Sequence, residues 1–179
     1  VRSLLIAATC AVSTVVMSAQ AGQNPLGAPA PLRNDTMHLT VHTSVSSTAV
    51  TPGQPVSITF DVTPKRSMHV YAPGKHDYQV IAVKVDPQPW LRVQPTKYPP
   101  SEIYHFKELD EKVETYGKPF KLVQEVAILD TAAAKKALAA GPVKLSGRLE
   151  YQACDDKVCY APTRIPVSFT LTVSSQKTP

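Results

Sequence analysis

Val143-Lys144-Leu145-Ser146-Gly147-Arg148-Leu149-Glu150-Tyr151 and Ile165-Pro166-Val167-Ser168-Phe169-Thr170-Leu171-Thr172-Val173 are the two stretches that decide the fold class of this chain. In each, apolar residues fall on every second position. Lys144, Ser146, Arg148 and Glu150 oppose the first set, and Ser168, Thr170 and Thr172 the second. A period of two with β-branched residues is the signature of a half-buried antiparallel strand. The same alternation recurs at Leu39, Val41 and Thr43. It returns at Val56, Ile58, Phe60 and Val62, after the turn Thr51-Pro52-Gly53-Gln54, and again at Ile81, Val83 and Val85. The 17 prolines fall mostly between these runs, where they exclude long helices. One helix is predicted over Ala132–Ala140, capped by Asp130-Thr131 and ended by Gly141-Pro142. Many short strands and one connecting helix predict an all-β, immunoglobulin-like antiparallel β-sandwich with one short helix, spanning residues 35–175. No internal repeat is present, and residues 176–179 read as a tail.

The ends and the charge bound the environment. Arg2, the apolar run Leu4 to Met17 and the A-x-A site Ala19-Gln20-Ala21 read as a secretory leader cut after Ala21. Cys10 lies within that leader; a lipid-modified Cys10 is the alternative, disfavoured by Thr9 before it and the apolar residues after it. Residues 22–34, rich in Pro, Gly and Ala, read as a flexible leader to the domain. No second apolar segment follows, so the exported product is expected to be soluble, with Cys154 and Cys159 as its only thiols; it is read as a monomer. Loss of Arg2 lowers the formal charge of +5 by one. The remaining basic residues are scattered, with doublets only at Lys65-Arg66 and Lys135-Lys136, and no nucleic-acid footprint is expected.

Between the two deciding strands runs Gln152-Ala153-Cys154-Asp155-Asp156-Lys157-Val158-Cys159-Tyr160-Ala161-Pro162. A hairpin places facing residues about 4.5–5.5 Å apart at Cα, within reach of a disulfide. Closing so short a loop constrains the unfolded chain by only roughly 2 kcal/mol, which favours a redox pair over a structural staple. Asp155 and Asp156 are expected to raise the thiol pKa values and Lys157 to lower them, so the attacking sulfur is not distinguished. Tyr151 and Tyr160 flank the pair, either as strand packing or as an apolar docking face.

This arrangement resembles the N-terminal periplasmic domain of the thiol–disulfide interchange protein DsbD. The matching residues are Tyr151, Gln152, Cys154, Cys159, Tyr160 and Pro162, then Glu114, Thr115, Tyr116, Gly117 and Lys118, and more weakly His69-Val70-Tyr71. The resemblance implies an immunoglobulin-like fold and a redox-active Cys154–Cys159 pair. It implies a cap loop at Glu114 to Lys118 that covers the disulfide until a partner displaces it. It also implies electron exchange with thioredoxin-like periplasmic proteins and a membrane electron-transfer protein, without a cofactor. By family position Cys159 forms the mixed disulfide and Cys154 resolves it. Two departures bear on this. The cysteines are one residue closer than in the family domain, and Thr115 stands where that domain has Phe. No transmembrane or thioredoxin-like segment follows in this sequence, so the implied reductant is a separate protein.

Two other classes compete. Met37-His38 and Met68-His69, with two thiols nearby, suit Cu(I) and suggest a copper-binding module; the plainer reading has Met turned inward on strands. The other is a binding sandwich with an inert disulfide. No zinc motif, nucleophile elbow or phosphate loop is present. His105, among Tyr98, Tyr104 and Phe106, reads as a surface or packing histidine near the cysteine surface.

Overall fold

The computed structural model describes residues 29–107 and 110–173. The leader with Cys10, its cleavage site and the 176–179 tail lie outside the described residues. Thirteen strands and one helix follow in order: β1 Leu32–Asp35, β2 Leu39–Val45, β3 Ala49–Val50, β4 Pro55–Pro64, β5 His69–Tyr71, β6 Ala82–Val85, β7 Leu91–Val93, β8 Glu102–Phe106, β9 Glu111–Tyr116, β10 Phe120–Ile128, α1 Ala132–Ala139, β11 Val143–Tyr151, β12 Ala153–Cys154 and β13 Thr163–Val173. The last residues of the expected leader take part in a strand: Leu32 to Asn34 pair with Val41 to Thr43 of β2.

Two sheets form the sandwich, β1-β2-β4-β10-β7 and β3-β13-β11-β6. The inward residues are the alternating ones. Leu39, Val41, Val56, Ile58, Phe60 and Val62 from one sheet meet Leu145, Leu149, Ile165, Phe169 and Leu171 from the other in one buried cluster. Pro166 is tolerated in β13 because β3 covers only Thr172 and Val173, leaving the earlier part of that edge free of a ladder. The helix carries the chain from β10 in the first sheet to β11 in the second. Thr131 caps it by accepting the N–H of Ala134, and Gly141, at φ 122°, provides the positive φ that ends it. Gly147 is required for a different reason: a Cβ there would stand 2.5 Å from the Lys84 carbonyl oxygen of β6.

A third, smaller sheet, β12-β5-β9-β8, stands at one end of the sandwich. β5 follows the end of β4, β9 precedes the start of β10, and β12 continues β11. Phe120 at the start of β10 pairs with Val62 near the end of β4, so these ends coincide. The hydroxyl of Tyr151 at the end of β11 meets Thr36 Oγ1, in the β1–β2 turn, at 2.9 Å.

Candidate functional site

The third sheet carries the cysteines. Cys154 and Cys159 face each other across a hairpin bridge and form a disulfide, with their Cα atoms 4.1 Å apart. Asp155 builds the turn between them. Its Oδ1 accepts the backbone N–H groups of Lys157 and Val158, both at 2.8 Å, and its Oδ2 accepts the Tyr160 hydroxyl at 3.0 Å. Those two N–H groups, ahead of the Tyr160 bond, hold its carboxyl below the usual carboxylate range. Asp156 accepts the Tyr104 hydroxyl at 2.6 Å. The two carboxylates are thus engaged in building and bracing the hairpin.

The two sulfurs are inequivalent. Cys154 is fully buried, packed with Tyr71 and Val113, whereas Cys159 is exposed. Cys159 opens onto a cleft of about 400 Å³ lined also by Tyr78, Phe106 and the hairpin residues Asp155 to Val158. The Tyr71 hydroxyl lies 3.1 Å from Cys154 Sγ and 3.3 Å from Cys159 Sγ. Disulfide sulfurs carry no proton, so the phenol donates. Burial, more than its neighbours Tyr78 and Glu111, pushes the Tyr71 phenol well above its ordinary range. The Tyr71 ring stacks on Tyr78 at 4.3 Å, and Tyr78 donates to Glu111 Oε2 at 2.7 Å. The loop between β5 and β6 returns Tyr78 to this place because the Ile81 N–H bonds the Tyr71 carbonyl at 2.9 Å.

Among the residues singled out in the sequence, Tyr71, Asp155, Asp156 and Lys157 lie at or beside the pair. Tyr151 does not: it is fully buried in the sandwich core. Tyr160 packs on His38, with ring centroids 4.5 Å apart. The segment expected to be a cap loop is largely strand. Glu114, Thr115 and Tyr116 belong to β9, Tyr116 is buried with its hydroxyl on the Pro99 carbonyl, and Lys118 pairs with Glu102. Thr115 and Gly117 line a hollow beside His69 and Tyr104. The hydroxyl in contact with the sulfurs belongs to Tyr71.

Tyr78, Phe106 and the packing role of His69 were not legible as site features. Tyr104 and Phe106 share one face of β8 by the period of two, while His105 on the opposite face pairs with Asp110 at 2.8 Å. The methionine–histidine pairs are oriented opposite to the plain expectation: His38 and His69 are buried and Met37 is 74% exposed. Among the described residues no group of three or more His, Cys, Asp or Glu is placed to hold a metal. No helix among them is long and apolar enough to cross a membrane.

A disulfide on a terminal hairpin, with one sulfur buried and one open to a cleft, is the geometry that the family comparison meets. Residues 36–170 match the family model described as thiol:disulfide interchange protein DsbD, N-terminal. The chain belongs to the DsbD N-terminal domain family. No curated protein matches it. Among solved structures it is similar to the N-terminal periplasmic domain of ScsB from Proteus mirabilis, with a TM-score of 0.52 and 16% identity, covering 82% of this chain and 52% of that one. The chain thus spans about half the length of that relative, and the likeness is one of fold. A looser likeness, TM-score 0.40 and 12% identity over 80% of this chain and 97% of the other, is to the GAE domain of GGA2p from Saccharomyces cerevisiae. The paired cysteines thus sit on the terminal hairpin of a DsbD-type N-terminal domain.

Proposed function

We propose that this domain passes reducing equivalents between thioredoxin-like proteins of the periplasm through Cys154 and Cys159, receiving them ultimately from a membrane electron-transfer protein. The observation that carries the reading is the asymmetry of the pair, an exposed Cys159 against a buried Cys154. A partner thiolate reaches Cys159 Sγ through the cleft. A partner–Cys159 mixed disulfide forms as the Cys154–Cys159 bond breaks, and Cys154 leaves as a thiolate. The Tyr71 hydroxyl, already donating at 3.1 Å, stabilises that thiolate. A second partner thiol then attacks the partner sulfur of the mixed disulfide. The partner leaves oxidised, and the domain holds two thiols and two more electrons. Reduction of a client runs the same steps in reverse, with Cys159 as the attacking thiol and Cys154 as the resolving one. The domain acts as a monomer and needs no cofactor for these steps.

Trapping tests the reading. The Cys154→Ser variant keeps Cys159 but has no resolving thiol. Incubated with oxidised thioredoxin-like proteins of the same compartment, it is expected to give a mixed disulfide on a non-reducing gel. Cys159→Ser, whose remaining thiol is buried, is expected to trap far less. No adduct with either variant, together with a reduction potential below about −300 mV, marks an inert structural disulfide instead. Loss of Cu(I) binding in both variants without trapping marks a copper module.

A further inference from the structure

We propose that His69 is the proton acceptor for Cys154, taking the thiol proton when the reduced pair closes to a disulfide; this rests on the exchange reading above. His69 is the Cα partner of Cys154 in the β5–β12 ladder. Directly opposed residues of antiparallel strands project to the same face, with Cβ atoms about 4.5–5.5 Å apart. Tyr71, two residues along β5, shares that face, and its hydroxyl contacts Cys154 Sγ. The imidazole therefore stands on the sulfur side of the sheet.

His69 is only 4% exposed, and its Nε2 has no hydrogen-bond partner. Buried polar atoms are nearly always paired, so an orphan calls for a reason. The redox state supplies one. Bonded sulfurs have no proton to donate, whereas reduced Cys154 is an S–H donor. Reduction creates the donor that the imidazole lacks. Burial also holds His69 below the ordinary histidine range, against the opposing pull of Asp156 and then Asp155, so it is a neutral base at neutral pH. The other groups around it are the phenols of Tyr71 and Tyr104, the latter stacked at 4.4 Å, and across the adjoining hollow Glu102, paired with Lys118. Tyr71 is excluded as the base because burial holds it protonated.

The step balances. Cys159 thiolate attacks a client disulfide, one client thiolate leaves, and a Cys159–client mixed disulfide remains. Cys154 gives its proton to His69 and attacks Cys159 Sγ. The second client thiolate leaves, and the imidazolium returns its proton to that thiolate or to water. Two electrons reach the client, and the Asp155 and Asp156 carboxylates offset the transient charge on the ring.

The test uses the reduced domain and glutathione disulfide, following release of the second glutathione by rapid quench between about pH 5 and about pH 9. Wild type is expected to close with an inflection below the ordinary histidine range, because burial lowers the ring's pKa. His69→Phe retains a ring to stack on Tyr104 and loses the base. Its inflection is expected to move toward the thiol value near about 8.5, with closure at neutral pH about 100-fold slower. Its redox equilibrium is expected to shift about tenfold toward the disulfide, because no orphan nitrogen remains to favour the dithiol. His69→Gln, polar but not basic, repeats the measurement in case the Phe variant is misfolded, and denaturant midpoints of the oxidised forms report folding. Superimposable pH profiles for wild type and either folded variant overturn the role of His69. Failure of the wild-type dithiol to react at all overturns the exchange reading instead, a separate outcome.

Discussion

At the residue scale, the chemistry turns on a few polar atoms beside two sulfurs. Tyr71 donates one proton to a pair it contacts at 3.1 and 3.3 Å. A hydrogen bond to a charged group contributes about 1.5–3 kcal/mol, so a hydroxyl that meets the leaving thiolate accelerates its departure. Tyr71→Phe keeps the ring stacked on Tyr78, and its reduction by dithiothreitol is expected to slow by about tenfold or more. Unchanged rates would remove Tyr71 from the mechanism. Asp155 makes a different prediction, about pH. Its folded pKa is depressed, first by the Lys157 and Val158 N–H groups. Its contribution to stability is therefore fully present above the unfolded value near about 3.9 and is lost as pH falls through the folded value. Asp155→Asn keeps an acceptor for those N–H groups but cannot titrate. The difference between urea midpoints at about pH 7 and about pH 2.5 is expected to be smaller in this variant than in wild type. A difference of equal size would mean that other carboxylates carry the acid sensitivity. Cys154, Cys159 and Asp155 were legible in the sequence because they are neighbours in one hairpin. His69 was legible only as a residue beside a methionine and as part of the weak His69-Val70-Tyr71 match, since nothing local announces that it will face Cys154.

At the element scale, the main question concerns Glu114 to Lys118. The family pattern implies a loop over the disulfide, but Glu114 to Tyr116 is committed to β9, paired with β5 on one side and β8 on the other. A segment with both edges bonded does not swing away without breaking two ladders. The Tyr116 ring stacks on Phe120 at 4.2 Å, and burial pushes its phenol up to about 12. Tyr116→Ala is accordingly expected to lower stability by about 3 kcal/mol or more, as other large aromatic truncations do, with little change in dithiothreitol access to the sulfurs. Phe106→Ala, at the cleft that Cys159 opens onto, is expected to raise the reduction rate. Denaturant unfolding and reduction kinetics on the two variants separate these roles, and a Tyr116→Ala protein that is stable yet reduced faster would restore the loop picture. The long strands were readable because their alternation spans many residues. β5 and β12, only three and two residues long, were not. Too few residues remain to establish a period, and their pairing partners lie far away in the chain.

At the scale of the whole molecule, the disulfide is a minor contributor to stability. The sandwich core has its own continuous packing between two sheets, and the Cys154–Cys159 loop is short. The double variant Cys154→Ser, Cys159→Ser is expected to stay folded with a loss of roughly 2 kcal/mol or less, read from urea unfolding. Spontaneous unfolding of that variant would make the bond a staple and weaken the redox reading.

What the sequence determined by itself is whatever rests on local pattern. Period-two alternation specifies strands whichever neighbours they acquire, as at Leu39 to Val45 and Val143 to Tyr151. Thr131 and Gly141 delimit a helix through their own capping and backbone preferences, and six consecutive residues place two cysteines on one turn. What only the tertiary structure decided is the environment of those cysteines. Tyr71 and His69 reach them from β5, Tyr78 from the loop that follows it, and Tyr104 and Phe106 from β8. Their arrival depends on where β4, β10 and β11 end relative to one another. That is a property of sheet register and closure, set by the packing of the two faces and written in no single stretch of the chain.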